Sequence, residues 1–517
     1  MIRLQSFVSG QWHSGGARAA RLVNPATEDV IAEASSEGVD FAGALGYARA
    51  NGAALRAMTF GQRAAMIKSV AKLFHANREE LLDLAQTNGG NTRGDAKFDI
   101  DGAIGTLSAY AATGEAMAAR LAESRHLLDG EMAPLTRSPR FVGQHVWTTR
   151  PGVAVHINAF NFPAWGTFEK AAVAWLAGVP ILSKPATATA LVTFRMTQLL
   201  AASGLVPDGA FQLVCGSTGN LLSCLEPMDS LAFTGSNATG AMLRNTPGFA
   251  ERGVRVNIEA DSLNAAVLGA DVEIGGDVWN TAVRHVVTDM TQKTGQKCTA
   301  IRRVIVPDDR IDAFESAVID ALSRHSVGDP RSDGVTVGPV ATASQLRDVL
   351  AGIRTLAGSA DIRHGGPERI DGKNAPPGKG YYVGPTVLRA RDGSPGVAHE
   401  IEVFGPSTTL IPYDGSAAAA ASLVALGQGS LVSTAYADDR EWIGVFVAGA
   451  APYLGRMLIV GAKVADQVTA PGMVLPDCVH GGPGRAGGGE ELGGERGLTF
   501  YMQRTALQGD RGVIART

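Results

Sequence analysis

The chain has 517 residues, of which 45% are hydrophobic and 19% are charged, and its formal net charge is −4. A chain of this length exceeds what one hydrophobic core supports, so we expect two or three domains, and the apolar content excludes extended disorder. The slightly acidic balance provides no basic surface for nucleic acid, which we exclude as a partner.

The sequence indicates neither a membrane span nor a disulfide framework. The longest apolar run, AAVAWLAGVPIL, is shorter than the roughly 20 residues that cross a bilayer, and the first residues lack the apolar segment of a signal peptide. The cysteines at 215, 224, 298 and 478 are scattered without CxxC spacing, which argues against a zinc site. We therefore predict a cytoplasmic protein, with no membrane partner and no metal site.

Short apolar strands alternate with helical segments through the middle of the chain. Residues 134–150, before this region, alternate in character and predict an extended arm. The alternation itself predicts right-handed βαβ units, a largely parallel sheet and an α/β fold, with functional residues in the strand-to-helix turns. The predicted strands are 152–158, 179–183, 210–216, 230–236, 255–260, 265–269 and 301–306.

A second set of helices and strands follows residue 306. The segment DRIDAFESAVIDALSRH predicts a helix, and GYYVGPTVLRA and EVFGPSTTLIPY predict strands. The Ala-rich stretch GSAAAAASLVALGQG carries an apolar stripe, so we interpret it as a helix before the strand LVSTAYADD and not as a linker. The Gly-rich stretch HGGPGRAGGGEELGGERG fits no regular element.

Cys298, in TGQKCTA, is a candidate nucleophile. An isolated cysteine is more often a small buried residue, and Cys215 and Cys224 fit that description well. Cys298 differs because polar residues flank it, Gly295 permits a tight turn, and nearby cationic charge such as that of Lys297 would favour the thiolate. Spacing alone leaves both interpretations open.

Asn161 and Glu259 are candidate partners because each follows an apolar strand. Asn161, in NAFNFP, is either a turn or cap residue or an amide donor to a developing oxyanion. Glu259, in RVNIEADSLN, is either a solvated strand end or a general base, whose pKa would rise in a cleft.

Two further segments could bind a nucleotide. In FTGSNATG, Gly235, Ser236 and Gly240 surround a predicted helix start after a strand, which suits a pyrophosphate, although the pattern is not GxGxxG. Lys184, in SKPA, ends a strand from which its ammonium group could reach a ribose or a phosphate.

In this order along the chain, these segments resemble the aldehyde dehydrogenase superfamily. The likeness covers nearly the whole chain and rests on a joint set of motifs. They are GQW, NPATEDVIAEA, NFP, KPA, LVPDGAFQLVCG, FTGSNATG, GQKCTA, GYYVGPTVL, EVFGP and the closing Gly-rich loop.

The resemblance implies covalent catalysis. Cys298 would add to an aldehyde, Asn161 and the Cys298 backbone N–H would hold the oxyanion, and Glu259 would activate the water that hydrolyses the thioester. A nicotinamide cofactor would accept the hydride. Glu402 matches the family's ribose contact, and Phe404 and Phe160 are further expected cofactor contacts.

One departure from the family concerns the cofactor. Many relatives that use NAD carry a glutamate where this chain has Thr187. Without that carboxylate nothing repels a 2′-phosphate, and Lys184 could pair with one, so NADP is favoured and NAD stays possible.

A second departure concerns the substrate. The segment EADSLN, together with NAFNFPAWGTFEK and GQKCTAIRR, resembles a branch of semialdehyde dehydrogenases that act on CoA thioesters during aerobic degradation of aromatic acids. Within it, the benzoate route is favoured over the phenylacetate route, whose enzyme carries an added hydratase domain for which this chain leaves no room.

A CoA-acylating dehydrogenase and a non-catalytic relative remain alternatives, but Glu259 argues against the first and the intact Cys298, Glu259 and Asn161 against the second.

A charged group on the next helix could move protons. Lys170 falls where the family has a lysine implicated in proton movement, and Glu169 beside it is either part of that relay or an ordinary helix charge. The C-terminal loop offers Glu491, or alternatively Glu495, for the remaining position.

The resemblance also implies three structural parts. We expect a Rossmann-like cofactor domain (1–133 with 151–258), an α/β catalytic domain (259–470), and an oligomerisation arm (134–150) with a C-terminal tail (471–517). The active site would lie in a tunnel between the first two parts. A homodimer paired through the arm is the first expectation, and a tetramer remains open.

Overall fold

The computed structural model describes residues 1–391 and 396–516, so Thr517, the last residue of the predicted tail, lies outside it. Two seven-stranded sheets dominate the molecule, each flanked by helices. This is the mixed α/β architecture, with mainly parallel sheets, that the strand–helix alternation predicts.

The first large sheet carries five predicted parallel strands, all of which are confirmed, and an N-terminal hairpin added at one edge. Its strand order reverses between the strand Ala154–Ile157 and the strand Ser230–Thr234, which makes this boundary the switch point where α/β sheets bind ligands. In spatial order, the strands are Arg255–Glu259, Ser230–Thr234, Ala154–Ile157, Ile181–Lys184, Phe211–Leu213, Ser6–Val8 and Gln11–His13.

The helices around this sheet begin at identifiable caps. The side chains of Thr59 and Thr92 each accept the backbone N–H of the residue three positions on. The side chains of those residues, Gln62 and Asp95, accept the backbone N–H of the threonine in turn, which completes two capping boxes. The helix that follows Asn161 is almost entirely buried. The helices are Phe41–Ala57, Phe60–Ala76, Arg78–Gly89, Arg93–Leu121, Trp165–Ala177, Ala190–Ser203, Asn237–Arg244 and Phe249–Arg252.

The second large sheet is parallel except at one edge, where the strand Ala360–His364 runs antiparallel. The Ala-rich stretch is a helix before a strand, as predicted. The remaining strands, in spatial order, are Thr386–Ala390, Ser407–Tyr413, Arg303–Pro307, Ala265–Leu268, Ser430–Tyr436 and Leu454–Val460. The helices are Asp277–Thr291, Ile311–Leu322, Ala343–Leu356, Ala417–Ala425 and Arg440–Ala450.

Three small sheets complete the fold. Leu127–Pro134 and Phe141–Thr149 form an antiparallel ribbon, and the C-terminal strand Met502–Asp510 pairs with the second of them along its whole length. The ribbon therefore begins before the predicted arm segment. The other strands are Ile2–Leu4, Ala20–Val23, Val30–Ala34, Val479–Gly481 and Glu490–Leu492, and one further short helix is Arg511–Ile514.

The Gly-rich stretch, predicted to fit no regular element, in fact forms a hairpin. Val479–Gly481 pairs with Glu490–Leu492, and 3₁₀ turns lie at Gly484–Ala486 and Gly494–Tyr501. Glycines allow this because the backbones approach closely: a Cβ on Gly481 would lie 2.0 Å from the carbonyl oxygen of Gly489. No helix in the described ranges is long and apolar enough to cross a membrane.

Candidate active site

Several predicted site residues lie side by side at the carboxyl ends of the strands in the first large sheet. In register, Ile157 pairs with both Lys184 and Phe233, and Thr234 pairs with Glu259. Side chains that are far apart in sequence therefore meet at the switch point.

Cys298 is presented by a tight turn built from left-handed residues. Lys293, Thr294 and Gly295 have φ values of 53°, 55° and 67°, and a Cβ on Gly295 would lie 2.2 Å from the Gly405 carbonyl oxygen. Asn264 holds the far side of the turn, because its Nδ2 donates to the carbonyl oxygen of Cys298 at 2.8 Å. The glycine is thus required where the sequence suggested it.

Lys297 does not activate the cysteine. Its Nζ lies 2.6 Å from Asp289 Oδ1 and is fully buried there, so its charge is neutralised away from Cys298. Burial and the neighbouring Glu259 carboxylate instead raise the pKa of the Cys298 thiol well above its usual range. The expectation that nearby cationic charge favours the thiolate is therefore wrong, and the thiol needs a base.

Glu259 is that neighbour, and its environment is more polar than the sequence suggested. Its Oε2 lies 3.0 Å from His480 Nε2, both side chains are buried, and ligand atoms of Glu259, His480 and Cys298 all lie within 4.8 Å of one another. Burial opposes ionisation, but His480 and Lys170 outweigh it and lower the pKa of Glu259 below its usual range. The predicted rise is wrong because a cleft that holds cations does not behave as an apolar one.

His480 is the site residue that the sequence analysis missed. It lies on the strand Val479–Gly481, directly opposite Glu491 in the hairpin. The only signal was a histidine at the head of a glycine-rich stretch. Its place beside Glu259 depends on the hairpin pairing, which was not predicted.

Asn161 lies in the loop between strand and helix and is 7% exposed. Its Nδ2 donates to the carbonyl oxygen of Gln296 at 3.0 Å, which fixes the amide beside the Cys298 turn. A primary amide carries two N–H groups, so this bond is compatible with a second one to a substrate oxygen. Asn161 and Cys298 line the same cavity.

Lys170 joins two carboxylates behind Glu259. Its Nζ lies 3.3 Å from Glu169 and 2.9 Å from Glu491, and Asn257 donates to the other oxygen of Glu491 at 3.1 Å. Burial, with Lys170 opposing it and Glu491 adding to it, raises the pKa of Glu169 to about 7. Glu495 is not part of this cluster, because it pairs with Arg120 at 2.8 Å near the surface.

Two cavities meet at Cys298. One is narrow, about 40 Å³ in volume, is lined partly by Phe162, Trp165 and Val474, and includes Lys170 and His480. The other is larger, about 490 Å³ in volume. Residues shared by both cavities are Asn158, Ala159, Asn161, Thr234, Glu259 and Cys298.

The larger cavity contains most of the predicted cofactor contacts. Phe160, Gly235, Ser236, Glu402 and Phe404 line it, and the rings of Phe160 and Phe404 stand edge to face with centroids 5.7 Å apart. Its size and its mixture of aromatic, glycine and carboxylate groups fit a dinucleotide.

Glu402 is held in place before any ligand binds. Its Oε2 accepts the backbone N–H of Ser262 at 3.0 Å, and Arg302 lies 3.4 Å from its Oε1. Burial raises the pKa of Glu402 to about 7 although Arg302 opposes the rise.

Three of the predicted cofactor residues are not among the lining residues of that cavity. Gly240 allows close packing of its helix, because a Cβ there would lie 3.0 Å from a methyl carbon of Ile258. Thr187 donates to the carbonyl oxygen of Gly216 at 3.0 Å. Lys184 is largely buried at the end of its strand, where burial lowers the pKa of its ammonium group.

A cysteine, a carboxylate and an amide donor lie where a narrow cavity with aromatic and charged walls meets a dinucleotide-sized one, which is the arrangement of an oxidoreductase of aldehydes. The chain belongs to the aldehyde dehydrogenase family, whose sequence pattern it matches over residues 12–506. It is an NAD(P)-dependent enzyme of that family.

Among its relatives, a 3,4-dehydroadipyl-CoA semialdehyde dehydrogenase from Aromatoleum evansii is 42% identical over 484 residues, which are 93% of this chain and 93% of that protein. A putative aldehyde dehydrogenase from Staphylococcus haemolyticus is 26% identical over 79% of this chain and 81% of its own length.

Solved structures share the fold. Betaine aldehyde dehydrogenase from Staphylococcus aureus matches with a TM-score of 0.84 at 23% identity, covering 98% of this chain and 95% of that one. Aldehyde dehydrogenase C from Pseudomonas syringae, in complex with NAD⁺ and octanal, matches with a TM-score of 0.82 at 24% identity, covering 98% and 96%.

Proposed function

We propose that this enzyme oxidises a CoA-linked semialdehyde to the carboxylic acid with NADP, and that the substrate is 3,4-dehydroadipyl-CoA semialdehyde formed in aerobic benzoate catabolism. The observation that carries the reaction type is the placement of the Cys298 sulfur within 4.8 Å of a Glu259 oxygen, where two cavities meet. The relative from Aromatoleum evansii supports the substrate.

The first step is capture of the aldehyde. Glu259, kept ionised, takes the proton of the Cys298 thiol, and the sulfur forms a bond to the aldehyde carbon. Asn161 Nδ2 and the backbone N–H of Cys298 donate to the oxygen, whose negative charge grows as the carbon becomes tetrahedral. A bound nicotinamide supplies the hydride-accepting chemistry, and Phe160, Glu402 and Phe404 would hold it on the far side of Cys298.

The second step is release of the acid. Glu259 first gives up the thiol proton that it took during capture. Loss of hydride leaves the acyl group on Cys298 as a thioester, and the ionised Glu259 removes a proton from the water that attacks it. The bond from carbon to sulfur then breaks, and the leaving sulfur takes that proton back from Glu259, which restores the thiol. Lys170, Glu169 and Glu491 form a charged path along which the proton can leave the buried site.

Water is favoured over CoA as the acyl acceptor because a carboxylate that can activate water, that of Glu259, lies within 4.8 Å of the Cys298 sulfur. CoA-acylating relatives in this family usually lack a glutamate at this position. Turnover that requires added free CoA would contradict hydrolytic release. The related semialdehyde of phenylacetate catabolism is the second candidate substrate, since it too is a CoA-linked aldehyde.

The preference for NADP rests on the region around Thr187. A threonine there places no carboxylate against a 2′-phosphate, and the ammonium group of Lys184 lies on the neighbouring strand end. The proposed preference therefore depends on charge.

The three-part division, homodimer and cytoplasmic location remain predictions. The ribbon Leu127–Pro134 and Phe141–Thr149, extended by Met502–Asp510, supports pairing between subunits. Its outer strands each present an edge without a partner strand in the described ranges, and such edges favour association. A tetramer made of two such dimers is the alternative.

A four-way assay tests the proposed function. NADP and NAD are each combined with the CoA-linked semialdehyde and with a free short aldehyde, and kcat/KM is measured by formation of the reduced cofactor. The proposal predicts the highest value for NADP with the CoA-linked substrate. A higher kcat/KM for the free aldehyde would contradict the proposed substrate, and a higher kcat/KM with NAD would contradict the proposed cofactor.

A further inference from the structure

We propose that His480 is a positioning residue for Glu259 and carries the positive charge that keeps this base ionised in the resting enzyme. The inference rests on the proposed base role of Glu259 and extends it. It begins with the backbone, which fixes the distance between the two side chains.

The Gly-rich hairpin is bonded to the chain on both sides of Glu259. The N–H of Gly489 donates to the carbonyl oxygen of Ile258 at 3.1 Å, and the N–H of Ala260 donates to the carbonyl oxygen of Ala486 at 3.0 Å. These two bonds tie the hairpin to the end of the strand that carries the base. The position of His480 is thereby coupled to that of Glu259.

Close backbone packing pins the hairpin from the other side. A Cβ on Gly455 would lie 1.6 Å from the carbonyl oxygen of Gly481, so the strand Leu454–Val460 touches the hairpin directly after His480. The imidazole then has little freedom, and its Nε2 faces Glu259 Oε2 at 3.0 Å. A carboxylate so held keeps one oxygen toward the imidazole and can direct the other toward sulfur or water.

The charges around His480 favour its protonated form. Glu259 and Glu169 face it with negative charge, and Arg456 is the cation that opposes them. Burial lowers the pKa of the imidazole, but the two carboxylates outweigh burial and Arg456, so the pKa of His480 is raised above its usual range. The pKa of Glu259 is lowered and that of His480 is raised, and both changes favour the ion pair between the two side chains.

This pair resolves a conflict within the site. The thiol of Cys298 is difficult to deprotonate and needs a base that is ionised at every working pH. A buried carboxylate alone would tend to take up a proton. The positive charge of an imidazolium at hydrogen-bond distance opposes protonation of the Glu259 carboxylate. The proposed pair therefore keeps the proton on His480 and the negative charge on Glu259.

A spectroscopic experiment tests the pair without any substrate. The full-length protein is labelled with ¹³C at its histidines, and the His480 resonance is assigned by its loss in His480→Gln. At about pH 7.5, one unit above the ordinary histidine pKa, His480 should appear as imidazolium and should become neutral in Glu259→Gln. His156, a buried histidine whose pKa burial lowers to about 3, is the neutral reference. A neutral His480 in the wild type, or one insensitive to Glu259→Gln, overturns the proposal.

A kinetic experiment tests the consequence. Removing the positive charge of His480 raises the pKa of Glu259. As the pH falls, the Glu259 carboxylate is then protonated, and lost as a base, at a higher pH than in the wild type. In His480→Gln the acid limb of the deacylation rate should move up by about one to three pH units, while His480→Lys, which restores a charge, should move it back. Assays contain a chelator, because the side chains of Glu259, Cys298 and His480 could together bind a stray metal ion. An unmoved limb in His480→Gln, or a uniform loss of rate at every pH, overturns the role.

If the CoA-linked substrate is not turned over, the spectroscopic result still stands by itself. Failure of the proposed function and failure of the His480 inference are therefore distinguishable.

Discussion

At the residue scale, the chemistry of the site depends on the charges that lie close to Cys298 in space. The charges that lie close to it along the chain do not decide it. Lys297 is adjacent in the chain but bonded to Asp289, whereas Glu259 and His480 come from distant segments. The motif residues Cys298 and Asn161 could be predicted as a pair of site residues. The directions of the pKa shifts could not, because they depend on side chains brought in by tertiary packing.

Replacing Cys298 by alanine removes the nucleophile. We expect Cys298→Ala to abolish formation of reduced cofactor while the binding of NADP, followed by fluorescence titration, is kept. The matched control is Cys224→Ala, whose sulfur contacts the Asn220 carbonyl oxygen away from both cavities and which should remain active. An active Cys298→Ala enzyme would refute covalent catalysis at this residue.

Asn161→Ala removes one donor to the oxyanion. One such donor contributes about 3 kcal/mol in the transition state, so kcat/KM should fall on the order of 10²-fold with little change in cofactor affinity. Thermal unfolding controls for damage to the turn, because Asn161 also binds the Gln296 carbonyl oxygen. A loss below about threefold at unchanged stability would exclude the oxyanion role.

Thr187 tests the charge argument for the cofactor. In Thr187→Glu the new carboxylate can accept the ribose 2′-hydroxyl and repels a 2′-phosphate, so the ratio of kcat/KM for NADP to that for NAD should fall at least tenfold. Thr187→Val loses the bond to Gly216 without adding charge and should keep the wild-type preference. Equal ratios in all three proteins would contradict the assignment.

At the element scale, regular repeating patterns were predictable and irregular ones were not. The parallel strands and the Ala-rich helix Ala417–Ala425 follow from periodicity and are confirmed. The hairpin of Val479–Gly481 with Glu490–Leu492 was not predicted, because its strands are three residues each and glycines separate them. That hairpin supplies both His480 and Glu491, so the missed element is also the source of the missed residue.

The C-terminal strand is the element on which assembly should depend. Deleting residues 502–517 removes the strand that pairs with Phe141–Thr149 and should convert a dimer to a monomer in light-scattering measurements after size exclusion. Deleting only 511–517 leaves this sheet intact and should leave the dimer intact. A dimer that survives the longer deletion, with the rest still folded, would place the interface elsewhere.

At the scale of the whole molecule, two cavities share Cys298, which agrees with the proposal that the two reactants reach it through different cavities. The order of strands in the first sheet predicts where ligands bind, and the structure places Glu259, Asn161 and Cys298 there. The sequence did not predict the widths of these cavities, since loops from distant parts of the chain, including Gly472 and Val474, close the smaller one.

The most direct test of the account is the intact mass of Glu259→Gln after mixing with NADP and the CoA-linked semialdehyde. This variant lacks the base for both steps, so the mixing is done at alkaline pH, where hydroxide from the solvent can deprotonate Cys298. Hydride transfer should then occur in one slow burst of reduced cofactor, and hydrolysis of the thioester should not follow. Its mass should increase by that of the whole CoA-linked acyl group, located on Cys298 by peptide mapping. An unmodified Cys298 after such a burst, or steady turnover at the wild-type rate, would contradict the mechanism.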